Sequence, residues 1–467
     1  MDTACRPVAR RPKMPNFEMR ENEKVKPHMQ SSKLLPIIAG LLTLCVTAPA
    51  ANAENGTINR FLLAEHGCGR ATGYAEASKI VRWKDKVHVG WLDSVDGEFQ
   101  VRVRTFDRSD GTWSETYTIG PAYDNHGGPA MTVDSNGYLH IAYYPHHHQM
   151  RYRRSVRPND ASEWTEKTKF GPPAMTYPTL VCGPDNTLYL TCRVSGDDAW
   201  RVMLFEKPHD KEWREVGTLM KSRYSGYAHF QEALAWGPGH RTLHLACRMY
   251  EKNGQLQTVG YLKSDDFGRS WRRADGTVVE LPVTANTIDS LASTSSGKSG
   301  LSLRCGGVAV DSDGRPHVLY SRCKDGASRV YVATPGKEGW QAREVHPPET
   351  ARERKWQLST PGGISFGADG SRYLALTALP ADLDCTKSWG HPASEVMWLK
   401  SADGGRSFTG CIVSSADPEA PHWLPNLQHP TGYDTVESPA LIYTAGPAGE
   451  NNRQTLSNRV YFVHPKK

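Results

Sequence analysis

The chain has 467 residues, with 56 Lys and Arg against 50 Asp and Glu and a formal net charge of +6. Residues 1–53 hold eight basic and four acidic side chains, so most of the excess charge lies there and the rest of the chain is nearly neutral. The lack of a dense basic run excludes a nucleic-acid-binding protein. The lack of a long apolar stretch after residue 53 excludes a membrane-spanning one.

The first residues have the pattern of a secretory signal. Residues 1–32 are polar and basic, an apolar run follows at 34–46, and Ala51-Asn52-Ala53 has the small residues of a cleavage site. The run is too short for a spanning helix and has the flanks of a signal peptide. A start at Met29 would give a leader of ordinary length. We predict an N-terminal extension and signal peptide over 1–53, and a secreted or periplasmic protein.

Residues 54–467 repeat one pattern, which predicts a single all-β domain. We expect the protein to be a monomer. Each copy has a short apolar strand, a turn with Asp, Asn or Gly, and a strand with His or Tyr between apolar residues. The copies lie at 80–91, 133–144, 181–193, 234–249, 308–320 and 364–376. A third strand and an outer strand, often marked by Trp, follow most copies. Four-stranded units that recur roughly every fifty to seventy residues are typical of a β-propeller.

The two ends of this region are predicted to build one further unit together. Strand-like segments lie at 438–443 and 459–463. A strand near 61–63 would complete their sheet, and sharing one unit between the termini removes exposed sheet edges. We therefore predict a seven-bladed propeller, with six blades as the alternative.

Two segments fit the Asp-box pattern S-x-D-x-G-x-x-W. They are 264–271, and 401–408 with Phe in the last position. In this pattern Asp and Ser bond the backbone, Gly takes a positive φ and the aromatic side chain packs beneath. The boxes resemble the BNR repeats of sialidase-like propellers, so they indicate fold and have no predicted catalytic role.

The second copy of the repeat carries a pair of histidines. The segment 124–130 leads into this hairpin, 145–148 follows it, and Ser-Asn-Gly supplies a turn centred on Asn136. His126 lies ten residues before that centre and His146 ten after it. We therefore expect the two histidines to face each other across the open end of the hairpin.

The next two copies place polar residues in the same way. Tyr177 and Arg193 are symmetric about Asp185, and Glu232 and Arg248 oppose each other in the following copy. Arg248 is predicted either to contact a substrate or to pair with Glu232. Adjacent blades would then gather His, Tyr and Arg side chains at one mouth of the central channel.

This set of side chains suits chemistry next to a carboxylate. An Arg guanidinium binds a carboxylate through two hydrogen bonds. Neutralising a uronate acidifies its C5 proton, which a His or a Tyr phenolate can remove. A neighbouring Arg is expected to favour the phenolate by lowering the pKa of the Tyr. Protonation of the leaving O4 completes a β-elimination that requires no cofactor.

The motif at 124–130 and 145–148, followed by Tyr177-Pro178 and Arg193, resembles the BNR-4 repeat family. That family includes seven-bladed ulvan lyases, related polysaccharide lyases and a hydrolase acting at rhamnose–glucuronate linkages. In ulvan lyases, two His twenty residues apart precede a Tyr and an Arg sixteen apart, and this chain has both spacings. The resemblance implies a secreted lyase for an acidic, uronate-containing polysaccharide.

The resemblance also implies roles. Tyr177 would transfer a proton, His126 and His146 would aid abstraction or protonation, and Arg193 would neutralise the carboxylate. The predicted substrate-binding residues are Asn125, His148 and Arg248. The histidines predicted to be structural, because they recur at equivalent repeat positions or lie off the site, are His140, His244, His317 and His147.

The cysteines and metal ligands give weaker predictions. Cys305 and Cys323 are symmetric about Gly314 and are the predicted disulfide pair. The segment 194–197 lacks the His through which some relatives bind a structural zinc. A structural metal ion is therefore only an alternative, and none is predicted in the catalytic site. Side chains that could supply part of a metal site are His229, His244 and Cys247.

Three other functions are open. A glycoside hydrolase of this family would normally need two carboxylates, and only Asp124 and Glu232 lie near the predicted site. A sialidase is disfavoured because its Arg-Ile-Pro motif is absent near 67–72. A non-catalytic glycan-binding propeller would keep the fold and Arg193 without needing Tyr177.

Overall fold

A computed structural model describes residues 58–294, 302–414 and 420–466. The predicted signal peptide and extension at 1–53, with Met29, lie outside these residues. Within the described ranges no helix is both long and apolar enough to cross a membrane.

The described chain is built from β-strands with very little helix. The first strands are β1 (Ile58–Gly67), β2 (Ile80–Trp83), β3 (Lys86–Val95), β4 (Glu98–Asp107), β5 (Thr112–Trp113) and β6 (Tyr117–Ala122). There follow β7 (Ala130–Val133), β8 (Leu139–Tyr143), β9 (His146–Arg154), β10 (Thr168–Cys182), β11 (Leu188–Val194), β12 (Arg201–Lys207) and β13 (Arg214–Lys221).

The second half continues the same succession of strands. It has β14 (His229–Trp236), β15 (Leu243–Glu251), β16 (Leu256–Ser264), β17 (Trp271–Arg272), β18 (Val278–Val279) and β19 (Asp289–Ser293). Next come β20 (Ser302–Val310), β21 (Pro316–Lys324), β22 (Ala327–Gly336), β23 (Gly339–Val345), helix α1 (Glu349–Glu353), β24 (Trp356–Phe366), β25 (Arg372–Pro380), β26 (Glu395–Ser401) and β27 (Thr409–Ile412). The last strands are β28 (His422–Leu427), β29 (Leu441–Ala445) and β30 (Asn458–Pro465).

These strands form five antiparallel sheets, which confirms the predicted all-β class. Two are large, with the orders β28-β29-β30-β1-β3-β4-β5 and β13-β12-β11-β10-β9-β8-β7. The second is continuous because β10 is long: its start pairs with β9 and its end pairs with β11. The other sheets are β14–β19, β20–β23 and β24–β27.

The N-terminal strand completes the sheet of the C-terminal strands. β1 pairs with β30 along most of its length, and Phe61 lies opposite Phe462. This is the sharing between the two ends that the sequence predicted. The two ends also meet through Asn426 of β28, whose side chain donates hydrogen bonds to the carbonyls of Tyr74 and Ala77 in the segment between β1 and β2.

Apolar clusters fill the spaces between adjacent sheets and hold the first strands in place. One of them packs Leu204 of β12 against Leu243 of β15 and Trp271 of β17, all completely buried. Seven strands each begin a group of antiparallel strands, and each of the seven contacts the next one in chain order. They are β2, β7, β10, β14, β20, β24 and β28. Their ends therefore converge on one region.

The Asp boxes make the turns predicted for them. In the first box, the Asp266 carboxylate accepts hydrogen bonds from the Ser264 and Ser270 hydroxyls and from backbone N–H groups of the turn. Gly268 has φ +85° and Trp271 is fully buried beneath it. The second box repeats this network around Asp403. Both boxes therefore serve the fold.

The repeated histidines at mid-strand also belong to the scaffold, as predicted. His140 Nδ1 lies 2.7 Å from the Tyr152 hydroxyl, and His244 Nδ1 lies 2.6 Å from the Tyr261 hydroxyl. His317 lies 2.8 Å from an aspartate carboxylate. All three are buried, and burial lowers the pKa of each.

The predicted Cys305–Cys323 disulfide is wrong. A bulge with Gly307 at φ +103° shifts the register of β20 and β21, so Cys305 pairs with Tyr320 and Cys323 with Ser302. Cys323 instead forms a disulfide with Cys385, with 5.9 Å between their Cα atoms. Cys305 is a buried free thiol.

The disulfide gives a stability prediction. It closes a separation of 62 residues. Replacing Cys385 with serine should lower the free energy of unfolding by about 4 kcal/mol, because the cross-link restricts the unfolded chain. Urea unfolding followed by Trp fluorescence measures the change. A reducing agent should reproduce it in the wild type and have no effect on the variant. A variant as stable as the wild type would contradict the prediction.

Candidate active site

The predicted catalytic residues line one cavity where the first strands of several sheets end. Its volume is about 370 Å³. Its lining consists of Arg70, Tyr74, His126, His146, His147, Tyr177, Arg193, Tyr227, His229, Gln231, Arg248, Tyr250, Arg304, Trp389 and Asn452. This lining carries four arginines and no Asp or Glu. The cavity is therefore suited to an anionic ligand.

His126 and His146 lie together in the cavity. The β7–β8 ladder is symmetric about residue 136 but ends at the pair Ala130–Ala142. The two histidines therefore lie in the segments beyond it, and His146 begins β9. Their rings stack with centroids 3.9 Å apart and planes inclined by 24°.

A buried carboxylate joins the two histidines. Asp124 Oδ1 accepts from Nδ1 of His126 at 3.0 Å, and Oδ2 accepts from Nδ1 of His146 at 2.5 Å. Burial favours the neutral acid, but these hydrogen bonds hold the pKa of Asp124 well below its usual range. Because each Nδ1 donates to the carboxylate, each Nε2 has a free lone pair for another partner.

The segment between β1 and β2 occupies one of those lone pairs. Arg70 Nη1 donates to the Tyr74 hydroxyl at 2.6 Å and also contacts Nε2 of His126. A guanidinium has only donors, so this Nε2 is the acceptor. Burial first, and then the charge of Arg70, lower the pKa of His126 to about 4 against the opposing effect of Asp124. His126 is thus a neutral imidazole with both nitrogens engaged.

Tyr177 lies at a bulge in β10. Arg193 pairs with Thr176, and the register shifts before Thr179, so the exact opposition of Tyr177 and Arg193 predicted from the repeat is wrong by one residue. Tyr177 takes φ +59°, an unusual backbone conformation for a bulky residue. Its ring meets the Tyr74 ring edge-on at 5.0 Å. The bulge therefore turns the tyrosine into the cavity.

The phenol of Tyr177 is protonated at rest. Burial raises its pKa well above the usual value, and Tyr74 adds to this increase. Arg193 and Arg70 act in the opposite direction but do not prevail. The expected net lowering by a neighbouring Arg is wrong, because desolvation of the phenolate is the larger effect.

Arg193 lies between two aromatic rings. Its guanidinium carbon is 4.6 Å from the centroid of Tyr177 and 4.7 Å from that of Trp200. Its Nη2 is 3.5 Å from Nε2 of His147, which lines the cavity. The prediction that His147 belongs to the scaffold is wrong. Its φ of +59° breaks the regular alternation of side chains along the strand, and its side chain lines the cavity.

Arg248 also lines the cavity but does not oppose Glu232. The β14–β15 register pairs Arg248 with Gln231, so Glu232 faces the other side of its strand. Arg248 donates to Nδ1 of His229 at 3.0 Å and to the carbonyl of Leu303 at 2.8 Å. The predicted ion pair with Glu232 is therefore absent among the described residues, and the guanidinium is held at the cavity wall.

Two predicted substrate-binding residues do not line the cavity. Asn125 is buried and its backbone N–H donates to the carbonyl of Asn452, a lining residue. His148 packs against Tyr123 with ring centroids 4.0 Å apart, and its Nδ1 donates to the carbonyl of His146. Both residues support the cavity wall from behind.

Several lining residues were not predicted from the sequence. Arg70, Tyr74 and Trp389 come from loops outside the repeat hairpins, so repeat spacing gave no signal for them. Arg304 lies on β20, the first strand of its sheet, and comparison of equivalent strands could have found it. The guanidinium carbons of Arg70 and Arg304 lie 5.4 and 5.5 Å from the Trp389 ring.

Asp124, His126 and His146 also have the spacing of a metal site, since their ligand atoms lie within 4.8 Å of one another. However, a metal ion would have to displace both Nδ1 protons and would lie near the Arg70 guanidinium. The residues fit a hydrogen-bonded triad better than a metal centre. The predicted partial ligand set of His229, His244 and Cys247 does not form a metal-ligand cluster in the part of the chain that the structure describes.

Comparison with known proteins identifies the family. The BNR-4 model, described as a BNR repeat-containing family member, matches residues 86–347. This range is more than half of the chain, so the protein belongs to that family, as its sequence motifs predicted.

Curated relatives include two enzymes. An ulvan lyase of Pseudoalteromonas sp. (strain PLSV) is 23% identical over 399 residues, which cover 76% of each chain. An ulvan lyase of Alteromonas sp. (strain LOR) is 22% identical over 339 residues, covering 62% of this chain and 68% of the relative. A solved PL25 ulvan lyase has a TM-score of 0.65 at 16% identity, covering 86% of this chain and 95% of its own. The last comparison shows a shared fold.

Proposed function

We propose that the protein is a secreted polysaccharide lyase that cleaves a uronate-containing acidic polysaccharide by β-elimination. The observation that carries this proposal is the cavity in which Tyr177, Arg193 and the His146–Asp124 pair meet. The curated relatives are ulvan lyases. A second structure of the PL25 enzyme, with a TM-score of 0.64, is described as bound to -[GlcA(1-4)Rha3S]-.

Substrate binding rests on the arginines. Arg193 places a guanidinium in the cavity, where it can bind the uronate carboxylate and stabilise the charge that develops on it as C5 loses its proton. Arg248 and Arg304 extend the positive charge along the wall. This larger cationic surface suits a polymer with more than one anionic group per repeat, such as a uronate and a sulfate ester.

His146 is the proposed general base. Its Nδ1 donates to Asp124, and its Nε2 makes no hydrogen bond to the residues that the structure describes. The carboxylate orients the imidazole and stabilises the imidazolium that forms when Nε2 takes the C5 proton. His126 differs because Arg70 occupies its Nε2. We therefore assign His126 to positioning, through its stacking on His146 and its bond to Asp124.

Tyr177 is the proposed general acid. Its raised pKa keeps the phenol protonated, so it can donate its proton to O4 as the C4–O4 bond breaks. The C5–H electrons become the C4=C5 double bond, and the O4 bond electrons leave with the departing sugar. The products are a chain with an unsaturated uronate at its non-reducing end and a chain whose departing oxygen is now the anomeric hydroxyl of a new reducing end. The residues require no cofactor for these steps.

The proposal also covers the number of propeller blades, the secretion of the protein and its monomeric state. The strands are consistent with a seven-bladed propeller, because they divide into seven groups of about four and the relatives of similar fold are propeller-like. The disulfide suits export to an oxidising compartment, as does the predicted signal peptide. One chain supplies the whole cavity, so a monomer is the proposed acting unit.

The test is incubation with ulvan and other uronate-bearing polysaccharides. A lyase produces ultraviolet absorbance from the unsaturated uronate in step with new reducing ends. A glycoside hydrolase would give reducing ends without that absorbance, and a binding propeller would give neither. The cavity favours the lyase over a hydrolase because no Asp or Glu is among its lining residues.

The acid–base roles predict a pH dependence. Tyr177 must be protonated to act, and its pKa is raised, so kcat should not fall until the pH exceeds about 10, the ordinary value for tyrosine. His126, with a pKa of about 4, should add no titration near neutral pH. The measurement is kcat against pH, with intrinsic fluorescence as the control for folding. An alkaline decline near pH 8 would contradict the role of Tyr177 as an acid.

A further inference from the structure

A second concave surface lies on the sheet that carries Tyr177 and Arg193. It is a groove of about 630 Å³ between the start of β10 and strands β12 and β13. Its walls carry the cationic side chains of Arg201, Arg214 and Lys221, the carboxylate of Glu215 and the aromatic ring of Trp213, so the cations outnumber the acid. The indole N–H of Trp213 has no hydrogen-bond partner among the described residues. That N–H is buried, so the groove offers a ligand its positive charge and an aromatic wall.

Two aromatic side chains, Tyr227 and Trp200, extend from the cavity toward the start of β12. Tyr227 lines the cavity and is 51% exposed, and its ring meets Trp200 edge-on at 4.9 Å. Trp200 immediately precedes Arg201, the first residue of β12. A backbone bridge between Ala199 and Gly226 holds the two loops together. Because successive side chains of a strand lie on opposite faces, a chain passing from the cavity over these two aromatic side chains would cross the end of β12 to reach the groove.

The cations at the near end of the groove are available to a ligand. Arg201 has no carboxylate within ion-pair distance in the described ranges. Lys221 pairs with Asp198 at 2.9 Å, but these side chains are 40% and 77% exposed, and such surface pairs are weak. Arg214 is different, because it is held by the buried carboxylate of Glu206.

We propose that the acidic polysaccharide continues from the cavity over Tyr227 and Trp200 into this groove, where Arg201 and Lys221 bind its anionic groups. Aromatic faces and cations in sequence are suited to a chain of sugars that carries carboxylates or sulfates. The inference rests on the proposed function and deepens it. The enzyme would bind several sugars beyond the scissile bond and act within long chains in preference to their ends.

The experiment compares ulvan with a tetrasaccharide prepared from it. The double variant Arg201→Ala/Lys221→Ala should lower kcat/KM on the polymer by roughly tenfold and leave the value for the tetrasaccharide within about twofold, because only the polymer reaches the groove. Tyr227→Ala should lower the value for both substrates, because Tyr227 also lines the cavity. The control is Lys324→Ala, which removes a cation from a comparable exposed pair with Asp325 elsewhere on the surface.

Binding without turnover separates this inference from the proposed function. Migration through a native gel containing ulvan should be retarded for the wild type and Lys324→Ala, and less so for the double variant. Equal losses of kcat/KM on polymer and tetrasaccharide, or unchanged retardation, would overturn the groove. A wild type that is retarded but forms no unsaturated uronate would refute the lyase reaction, and the double variant would still decide whether the groove binds the polymer.

Discussion

Replacing Tyr177 with phenylalanine should lower kcat by about 10³-fold, within the range that a positioned general acid contributes. The substitution removes only the hydroxyl. The ring packing against Tyr74 and the cation–π contact with Arg193 can remain, so substrate binding should change little. The loss should therefore appear in kcat, with KM within about threefold of the wild type.

Initial rates of unsaturated uronate formation measure this loss, and thermal unfolding shows whether the variant is folded. Tyr189→Phe is a suitable control, because Tyr189 lies in the same sheet but packs against Trp236 and does not line the cavity. Near wild-type activity of Tyr177→Phe would remove Tyr177 from the reaction and leave the acid unassigned.

The second large effect is expected from His146→Ala, which should reduce kcat by roughly 10³-fold. The reason is the loss of the only imidazole in the His126–His146 pair with an unoccupied Nε2. Added imidazole should restore part of the rate, since it can occupy the space and accept the C5 proton. A matched control is His148→Ala, two residues along the same strand and outside the cavity lining.

The same series tests the division of labour between the two histidines. His126→Ala should also slow the reaction, because it frees Asp124 and Arg70 from their partner, but imidazole should not rescue it. Rescue of His126→Ala and not of His146→Ala would reverse the two roles. Loss of folding in either variant would show as a change in thermal unfolding, so the rates are compared only between folded proteins.

The sequence predicted what depends on repetition. The symmetric turn at Asn136 placed His126 and His146 at one end of a hairpin, and the structure brings their rings into contact. The first strand, β1, completes the sheet of β30 as expected for a chain whose ends meet. Both predictions depend on the alternation and spacing of strands, which one chain displays many times.

The sequence did not predict what depends on irregular backbone. Bulges shift the register at Tyr177 and Cys305, and an offset turn does so at Arg248, so each of these residues is displaced from the partner that symmetry would give it. Arg70 and Tyr74 reach the cavity from a loop with no repeat equivalent. The pKa of Tyr177 depends on its degree of burial, which spacing does not reveal.

The buried carboxylate at Asp124 illustrates the intermediate case. Its position beside His126 is evident from the motif, but the sequence alone offers it only as a carboxylate for hydrolysis. Its two oxygens each accept from a different histidine, an arrangement visible only when both chain segments are in place. Together with Arg70, which occupies Nε2 of His126, this arrangement leaves His146 as the imidazole of the pair with an unoccupied Nε2.

Digestion of ulvan in water enriched in heavy oxygen tests the central claim most directly. β-Elimination transfers no oxygen from water, so mass spectrometry should find products with an unsaturated uronate and no solvent oxygen at the cleaved bond. Short digestions are quenched with borohydride, which reduces the new reducing ends before their anomeric oxygen exchanges with water. Products that carry one heavy oxygen per cleavage and no unsaturation would contradict the account and assign the cavity to hydrolysis.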